Sequence, residues 1–246
     1  MRGPAALFSI AFAIGAIVLA PGAVAREPTV ITACQTIDRP GAYVLANTIE
    51  MGGFGTCLTI TASGVTIDLD GFLVAARENA IEAVGNAQGI TVKNGSVASQ
   101  NGSAVLLGDG SKVTGLHVFT GKIGAGIFAN GIVRGNVVIG VHRTGIGASG
   151  TVTDNYVKGV FAEPGEGSAV GISASGTVRG NTATNNVIGI EVSAGSEVID
   201  NTAADNTKIG IQAECPSNVI DNTAVNNGTN LVLIGQGCQN KHNVAP

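Results

Sequence analysis

The sequence contains no tryptophan, and only 4% of its 246 residues are aromatic. A core without large rings must be assembled from many small aliphatic side chains, which favours thin, stacked layers. Charged residues make up only 12% of the chain, and the formal net charge is −4. This mildly acidic balance lacks the basic footprint of nucleic-acid-binding proteins, so we predict no nucleic-acid partner.

Long hydrophobic runs are missing after the first 25 residues. At the N-terminus, Arg2 precedes an apolar stretch over residues 5–20, and Ala23-Val24-Ala25 provides a small-residue cleavage site. This order of features predicts a secretory signal peptide over residues 1–25. The apolar stretch is shorter than the roughly 20 residues of a membrane-spanning helix. We therefore expect a secreted or periplasmic mature chain without a membrane span.

Cysteine is also scarce, and an even number in an exported chain indicates disulfides. Four cysteines allow three pairings. The spacing is 23 residues both from Cys34 to Cys57 and from Cys215 to Cys238, which is close to one unit of the repeat described next. Because bonded cysteines need Cα atoms within about 7 Å, we predict that these two pairs form, one near each end of the chain.

Glycine is abundant, at 37 residues, and the second half of the chain repeats with a period of about twenty residues. Successive units read IVRGNVV, TVTDNYV, TVRGNTA, EVIDNTA and NVIDNTA, and their shared Asn falls at Asn136, Asn155, Asn181, Asn201 and Asn222. Such periods predict stacked units in which each coil covers the apolar face of the next. We expect these Asn residues to adopt the left-handed turn conformation and to form a hydrogen-bonded ladder.

The repeats resemble the right-handed parallel β-helix repeat family of the pectin-lyase-like group over roughly residues 40–237. The resemblance rests on PGAYVLANTI from Pro40, CLTITASGVTIDLDGF from Cys57 and the repeated V-x-x-N units. It implies an all-β fold, a single-stranded right-handed parallel β-helix, to which the repeat length assigns about eight coils. We place the β-helix at residues 41–237, after a lead-in segment over residues 26–40 and before a tail over residues 238–246.

The same resemblance implies a polysaccharide ligand, since the family contains lyases, hydrolases, esterases and epimerases as well as members without known activity. Fold alone does not fix function. The Asp-Asp pair and His-Gly of the hydrolases are missing, and so is the Asp-Pro-His of the epimerases. A lyase-like reaction, with a Lys or Arg base, is the activity that the sequence leaves open.

Candidate catalytic residues come from one irregular repeat. The segment FAEPGEGSAV, from Phe161 to Val170, makes its repeat longer than its neighbours and should project as a loop beside His142. Loops on a rigid scaffold often carry function, and a His beside carboxylates is suited to acid–base chemistry. The predicted loop-edge cluster is Lys122, His142, Arg143, Glu163 and Glu166. The alternative is a solvated loop with charges that meet by chance.

A second candidate is a column of basic side chains on an outward strand face, formed by Lys93, Arg134 and Arg179. These residues recur every second coil, about 10 Å apart, which suits a linear polyanion lying along the solenoid. The competing explanation is that Asp154 and Asp200, one residue further on in neighbouring coils, form ion pairs with the arginines. Exposed ion pairs of that kind contribute little stability.

Cofactor signals are weak, and we predict no resident metal. The one alternative is calcium, held by Asp68 and Asp70, because carboxylates at i and i+2 on a strand point to the same side and calcium prefers oxygen ligands.

Two functions remain open. The first is an exported β-helix protein that binds, and in an extended form cleaves or modifies, an acidic polysaccharide. The alternative is a non-catalytic structural or surface-interaction protein. A maturation factor for metal enzymes is a weaker third hypothesis, since histidine is scarce. The first two hypotheses differ in geometry, because only a binding site requires the loop-edge residues to converge on a groove.

Overall fold

A computed structural model describes residues 27–121, 124–163, 165–167 and 169–246; the predicted signal peptide and Lys122 lie outside these residues. The described residues form 24 β-strands and no α-helix. Strands pair in parallel with their counterparts one turn along the chain, so the backbone winds into a β-solenoid. The predicted all-β solenoid is confirmed, with about 10 turns instead of about eight.

Each full turn has three faces. The first face carries the Asn repeat and contains β1 (Thr29–Ile31), β3 (Gly41–Leu45), β6 (Val65–Asp68), β18 (Glu197–Ile199), β21 (Asn218–Ile220) and β24 (Gln239–Lys241). The second contains β4 (Ile49–Glu50), β7 (Leu73–Ala76), β12 (Val137–Ile139), β14 (Tyr156–Lys158), β16 (Thr182–Thr184), β19 (Thr202–Ala204) and β22 (Thr223–Val225).

The third face contains β2 (Gln35–Ile37), β5 (Leu58–Ile60), β8 (Ile81–Ala83), β17 (Ile188–Val192), β20 (Ile209–Glu214) and β23 (Thr229–Ile234). Longer strands bend at the corners and join two or three faces: β9 (Thr91–Ser99), β10 (Ser103–Thr120), β11 (Ala125–Arg134), β13 (Thr144–Thr153) and β15 (Val170–Arg179). The corners are where loops and grooves form.

Inward-pointing side chains form columns of similar aliphatic residues along the solenoid. The column on the first face is fully buried and consists of Ile67, Val92, Val113, Val133, Val152, Val178, Val198 and Val219. Complete burial of one such side chain contributes about 1.5–3 kcal/mol. The core is therefore built from small residues in successive layers, as the lack of tryptophan predicts.

The repeated Asn residues form the predicted ladder inside the corner after the first face. Each side-chain Nδ2 donates to Oδ1 of the next Asn at 2.9–3.0 Å, from Asn136 through to Asn243. The same Oδ1 accepts the backbone N–H of the preceding Asn. A second, shorter ladder joins Asn186, Asn206 and Asn227. The hydrogen-bonding groups of these side-chain amides are already paired inside the solenoid, so they do not face a ligand.

The conformational role expected for the ladder Asn was wrong. The left-handed residue is the one before it, as at Asp154, Gly180, Asp200 and Asp221, with φ of 57°, 65°, 56° and 57°. Gly and Asp tolerate this region because Gly has no Cβ and the short Asp side chain bonds locally. The turn is thus made by one residue, and the Asn that follows directs its side chain inward.

Both predicted disulfides are confirmed. Cys34–Cys57 and Cys215–Cys238 join residues in adjacent turns, with Cα separations of 4.5 and 4.9 Å. Strands β1 and β2 fall within the predicted lead-in segment, and β24 falls within the predicted tail. They pair with β3, β5 and β21, so the stacking continues into both segments.

Candidate functional site

One repeat sends a loop out of the solenoid. Asn155 and Asn181 are 26 residues apart, whereas Asn181 and Asn201 are 20 apart. The additional residues lie between the end of β14 and the start of β15. At its beginning the loop runs beside the preceding turn, where Phe161 forms an isolated parallel bridge with His142. The loop therefore starts next to the histidine that the spacing points to.

His142 is shielded by this loop, and only 1% of its side chain is exposed. The ring of Phe161 packs edge-on against the imidazole, with a centroid distance of 5.4 Å. Nε2 of His142 lies 2.6 Å from Oε2 of Glu166. This contact has the distance of an ion pair without the direction of a hydrogen bond. The Glu166 carboxylate thus lies between the buried imidazole and solvent.

The loop fixes the Glu166 carboxylate with its own backbone. The N–H of Glu163 donates to Oε2 at 3.1 Å, and the N–H of Glu166 donates to the Glu163 carbonyl at 3.1 Å. The hydrogen bond from Glu163 lowers the pKa of Glu166, partial burial opposes it, and His142 and Arg143 lower it further. Glu166 is therefore ionised at neutral pH.

A groove of 540 Å³ runs past this loop along the corner that leads into the third face. Arg143 and Glu166 line it, and the other lining residues are Asn79, Asn101, Gly102, Ser103, Ala125, Phe128 and Thr144. The Arg143 side chain is exposed, and no carboxylate in the described part of the chain lies within 4.0 Å of its guanidinium. Arg143 thus has no ion-pair contact among the described residues, and the carboxylate that acts on its charge at longer range is Glu166 in the same groove.

Three of the five loop-edge candidates come together. His142 contacts Glu166, and Arg143 and Glu166 line the same groove. Glu163 contributes its backbone N–H to the site, while Lys122 lies outside the described residues.

The chemistry of this arrangement favours binding over proton transfer. The ring nitrogens of His142 are shut off from solvent, so they cannot reach a proton on a ligand in the groove. Glu166 has a lowered pKa and is consequently a weak general base. The planar guanidinium of Arg143 suits a carboxylate, which it can hold through two parallel hydrogen bonds.

Several groove residues have no signal in the sequence. Asn79, Asn101, Ser103 and Phe128 lie in turns that lack the repeated V-x-x-N unit. Their proximity follows from register, which aligns Ser103 with Ala125 in the next turn. Once the turns are aligned, a run of polar residues at the same corner is the pattern that would have indicated them.

The three basic residues predicted as a column do share one column. Strand register stacks Lys93, Thr114, Arg134, Thr153 and Arg179 in successive turns. Each cation has a carboxylate partner, and the pairs are Lys93–Asp68 at 2.8 Å, Arg134–Asp154 at 3.1 Å and Arg179–Asp200 at 3.0 Å. The column is therefore neutralised along its length, which weakens it as a polyanion site.

The proposed calcium pair has a different geometry from the one expected. Strand β6 ends at Asp68, and Asp70 lies in the following turn with φ of 47°, so the alternation of a strand does not extend to it. Asp68 accepts hydrogen bonds from the N–H of Asp70 and the side chain of Asn94, besides its contact with Lys93. Calcium stays the untested alternative to the predicted lack of a metal, and these donors already satisfy one of the two carboxylates.

Among the residues with described positions, no cluster of three or more His, Cys, Asp or Glu side chains has the spacing of a metal site. That part of the chain also contains no helix of the length and hydrophobicity needed to cross a membrane.

No protein-family model and no curated protein sequence matches this chain. Membership of the pectin-lyase-like group thus stays a prediction. Among solved structures, the Dettilon tailspike protein aligns with 85% of this chain at 13% identity and a TM-score of 0.50. The chain spans 52% of the tailspike's length. At this identity the likeness shows a shared β-solenoid fold and nothing about activity.

Two epimerase structures align more weakly. A periplasmic alginate epimerase matches 85% of this chain and 70% of its own at 10% identity, with a TM-score of 0.45. The A-module of a mannuronan C-5 epimerase from Azotobacter vinelandii matches 84% of this chain and 91% of its own at 12% identity, with a TM-score of 0.34. Likenesses of this size support no inference about this chain.

Proposed function

We propose that this chain is an exported β-solenoid protein that binds an acidic polysaccharide in the groove beside the loop at residues 161–169. The observation that carries the proposal is that Arg143 forms no ion pair among the described residues. Its guanidinium faces the groove without a carboxylate within 4.0 Å among the described residues, whereas the cations of the basic column are all paired. A carboxylate of a polymer is the partner that this guanidinium lacks.

The remaining groove residues suit a sugar chain. Amide and hydroxyl groups of Asn79, Asn101, Ser103 and Thr144 can exchange hydrogen bonds with sugar hydroxyls, and Phe128 adds an apolar surface. Binding sites combine apolar walls with a few placed polar groups in this way. The corner positions that line the groove span three turn-to-turn steps, or about 14 Å at strand spacing. An extended polymer fits this length better than a single small molecule.

The site supports binding better than cleavage. The ring nitrogens of His142 are buried away from the groove, and the lowered pKa of Glu166 makes its carboxylate a weak base, so neither group suits an acid–base catalyst. A lyase-like activity would need a Lys or Arg base, and a guanidinium such as that of Arg143 is not deprotonated in proteins. Lys122, the other basic candidate, lies outside the described residues. We therefore expect binding without turnover.

Export is supported by the disulfides. Two intact disulfides with no free cysteine are typical of proteins from an oxidising compartment. The N-terminal sequence features indicate the same compartment.

A structural role is the second candidate, and the neutralised basic column favours it. The buried Asn ladders and the paired cations of the basic column leave no charge on that column free for a polyanion. In that case the protein would be a rigid, non-catalytic solenoid whose surface binds other proteins.

A binding and turnover screen of the mature protein separates the two. Isothermal titration against a panel of acidic and neutral polysaccharides, with ultraviolet absorbance for lyase products and a reducing-end assay for hydrolysis, covers the expected ligands. We expect saturable binding to one or more uronate-containing polymers without product. Lack of binding to every polymer would reject the polysaccharide proposal and favour the structural role.

A further inference from the structure

We infer that Phe128 is the platform of a sugar subsite within the groove, on which a pyranose ring of the polymer stacks while Arg143 holds the carboxylate. This inference rests on the proposed function and adds to it the orientation of the ligand. It predicts that the protein recognises the apolar face of a sugar ring as well as its charge.

The position of Phe128 in the third face makes room for a platform. Strand register places Leu106, Phe128, Gly147 and Ser173 in one outward-facing column. The ring of Phe128 leans towards the next turn and occupies the space over Gly147. A Cβ atom at residue 147 would lie 2.4 Å from Cδ1 and from Cε1 of Phe128. The aromatic ring therefore fills the space that any other residue at position 147 would take.

The glycine at 147 is not required by the backbone. Gly147 is absent from the residues with positive φ among the described positions, so its conformation is one that an L-residue adopts without strain. The steric requirement comes from the Phe128 ring instead. Glycine in a strand interior is less stabilising than alanine. The strand is thus less stable at residue 147 than it would be with alanine, and the reason for the glycine is the space that the Phe128 ring occupies.

Phe128 also has the surroundings of a binding residue. Its half-buried side chain lines the groove together with Arg143, Thr144 and Glu166. Aromatic rings combine a large apolar surface with a polarised face, and weak C–H contacts to such faces are favourable. A pyranose ring presents C–H groups on its faces and hydroxyls at its edge. A ring stacked on Phe128 would direct its hydroxyls and carboxylate towards the polar groups that surround it.

The competing explanation is that Phe128 only covers the backbone at Gly147. Phe128→Ala, titrated with the uronate polymer that the wild-type protein binds best, separates the two. We expect the affinity to fall about tenfold or more, because the stacking surface is lost while Arg143 stays in place. Leu106→Ala, one turn away in the same column, is the matched control and should change the affinity less than about twofold.

A second variant tests the geometry without removing the ring. Gly147→Ala should push the Phe128 ring from its position and weaken binding, while thermal unfolding and circular dichroism show that the fold is kept.

Phe128→Trp introduces the only tryptophan of the chain. Its emission should shift on saturation with the polymer, whereas the emission of Leu106→Trp should not.

The outcomes separate this inference from the proposed function. Wild-type binding that Arg143→Gln abolishes but Phe128→Ala and Gly147→Ala leave unchanged would overturn the platform and leave the proposed function standing. Failure of the wild-type protein to bind any acidic or neutral polysaccharide would overturn both. Loss of affinity in Phe128→Ala and Gly147→Ala, but not in Leu106→Ala, is the result that we expect.

Discussion

The side-chain amide of Asn155 donates to Oδ1 of Asn181 at 2.9 Å although 26 residues separate the two along the chain. The next ladder contact, from Asn181 to Asn201, spans 20 residues and measures 3.0 Å. The additional residues therefore leave the ladder contact unchanged. A solenoid tolerates such an insertion because each turn depends only on its neighbours. This is how a regular stack comes to carry an irregular loop beside a groove.

The buried ladder should be a main source of stability. Asn181→Ala removes the acceptor of two hydrogen bonds from Asn155 and the donor to the Val152 carbonyl, all within the interior. Each buried group left unpaired costs about 1–3 kcal/mol, so we expect a loss of about 3–5 kcal/mol in the free energy of unfolding. Urea denaturation measures it. Asn130→Ala, which removes only an exposed bond to Asp109, should cost less than about 1 kcal/mol.

The left-handed residues before the ladder should respond to substitution in the opposite sense from strand residues. Asp205 has φ of 57° and is exposed. Asp205→Gly should give a protein about 1 kcal/mol more stable than Asp205→Ala, because glycine adopts this conformation without the strain that the Cβ of alanine introduces. At Glu197, in strand β18, the Ala variant should be the more stable one. Thermal unfolding measures these stabilities. If the Gly and Ala variants have the same order of stability at residues 205 and 197, this account of the turns is wrong.

Much of the fold can be predicted from the sequence because the repeat indicates the length of a turn, the inward-pointing residues and the position of the buried Asn. The V-x-x-N unit places an inward Val and a buried Asn in every copy, and the cysteine spacing equals about one turn. The number of turns was underestimated because the earlier turns lack the marker. Leu116 and Gly95 occupy the positions where later turns have Asn, as their pairing register shows.

The site was predictable only in part. The longer repeat indicates the loop beside His142. Phe128, in the third face, and Asn79, at a corner, lie in turns without the V-x-x-N unit, and only the stacking of turns brings them to Arg143. The pairing of Arg134 with Asp154 depends on which side chains meet across a corner. Periodicity gives the face on which a residue lies and leaves such pairings undecided.

The C-terminal disulfide should stabilise its own end of the solenoid. Cys215–Cys238 closes a loop with a sequence separation of 23 residues, for which the chain-entropy relation gives about 3 kcal/mol. In Cys215→Ser/Cys238→Ser, hydrogen exchange should accelerate in strands β20, β23 and β24, and strands near Asn136 should keep their protection. Uniform acceleration along the whole chain would mean that the turns unfold as one unit.

The half-buried Asp68, which pairs with Lys93, should make the stability of the protein depend on pH. Desolvation raises the pKa of Asp68, but the hydrogen bonds from Lys93, the Asp70 N–H and Asn94 outweigh it and lower the pKa below its usual 3.8. A lowered folded-state pKa adds stability above about pH 3.8, and this stability is lost as the pH falls through the folded-state pKa. Asp68→Asn should therefore cost about 0.5–1 kcal/mol near neutral pH and less in acid.

A double-mutant cycle with Lys93→Met checks the origin of this effect. The cost of Asp68→Asn near neutral pH should shrink when Lys93 is already absent, because the two side chains act through one contact. If the cost is the same with and without Lys93, the backbone N–H of Asp70 and the Asn94 amide carry the effect instead.

The most direct test of the binding account compares two arginines in one titration. Arg143→Gln removes the unpaired cation of the groove, and Arg134→Gln removes a cation that is already paired with Asp154. With the best uronate polymer from the screen, we expect Arg143→Gln to weaken binding about tenfold or more and Arg134→Gln to change it less than about twofold. A loss only in Arg134→Gln would place the ligand on the basic column, and equal losses would mean that the groove is not the preferred site; either result would contradict this account.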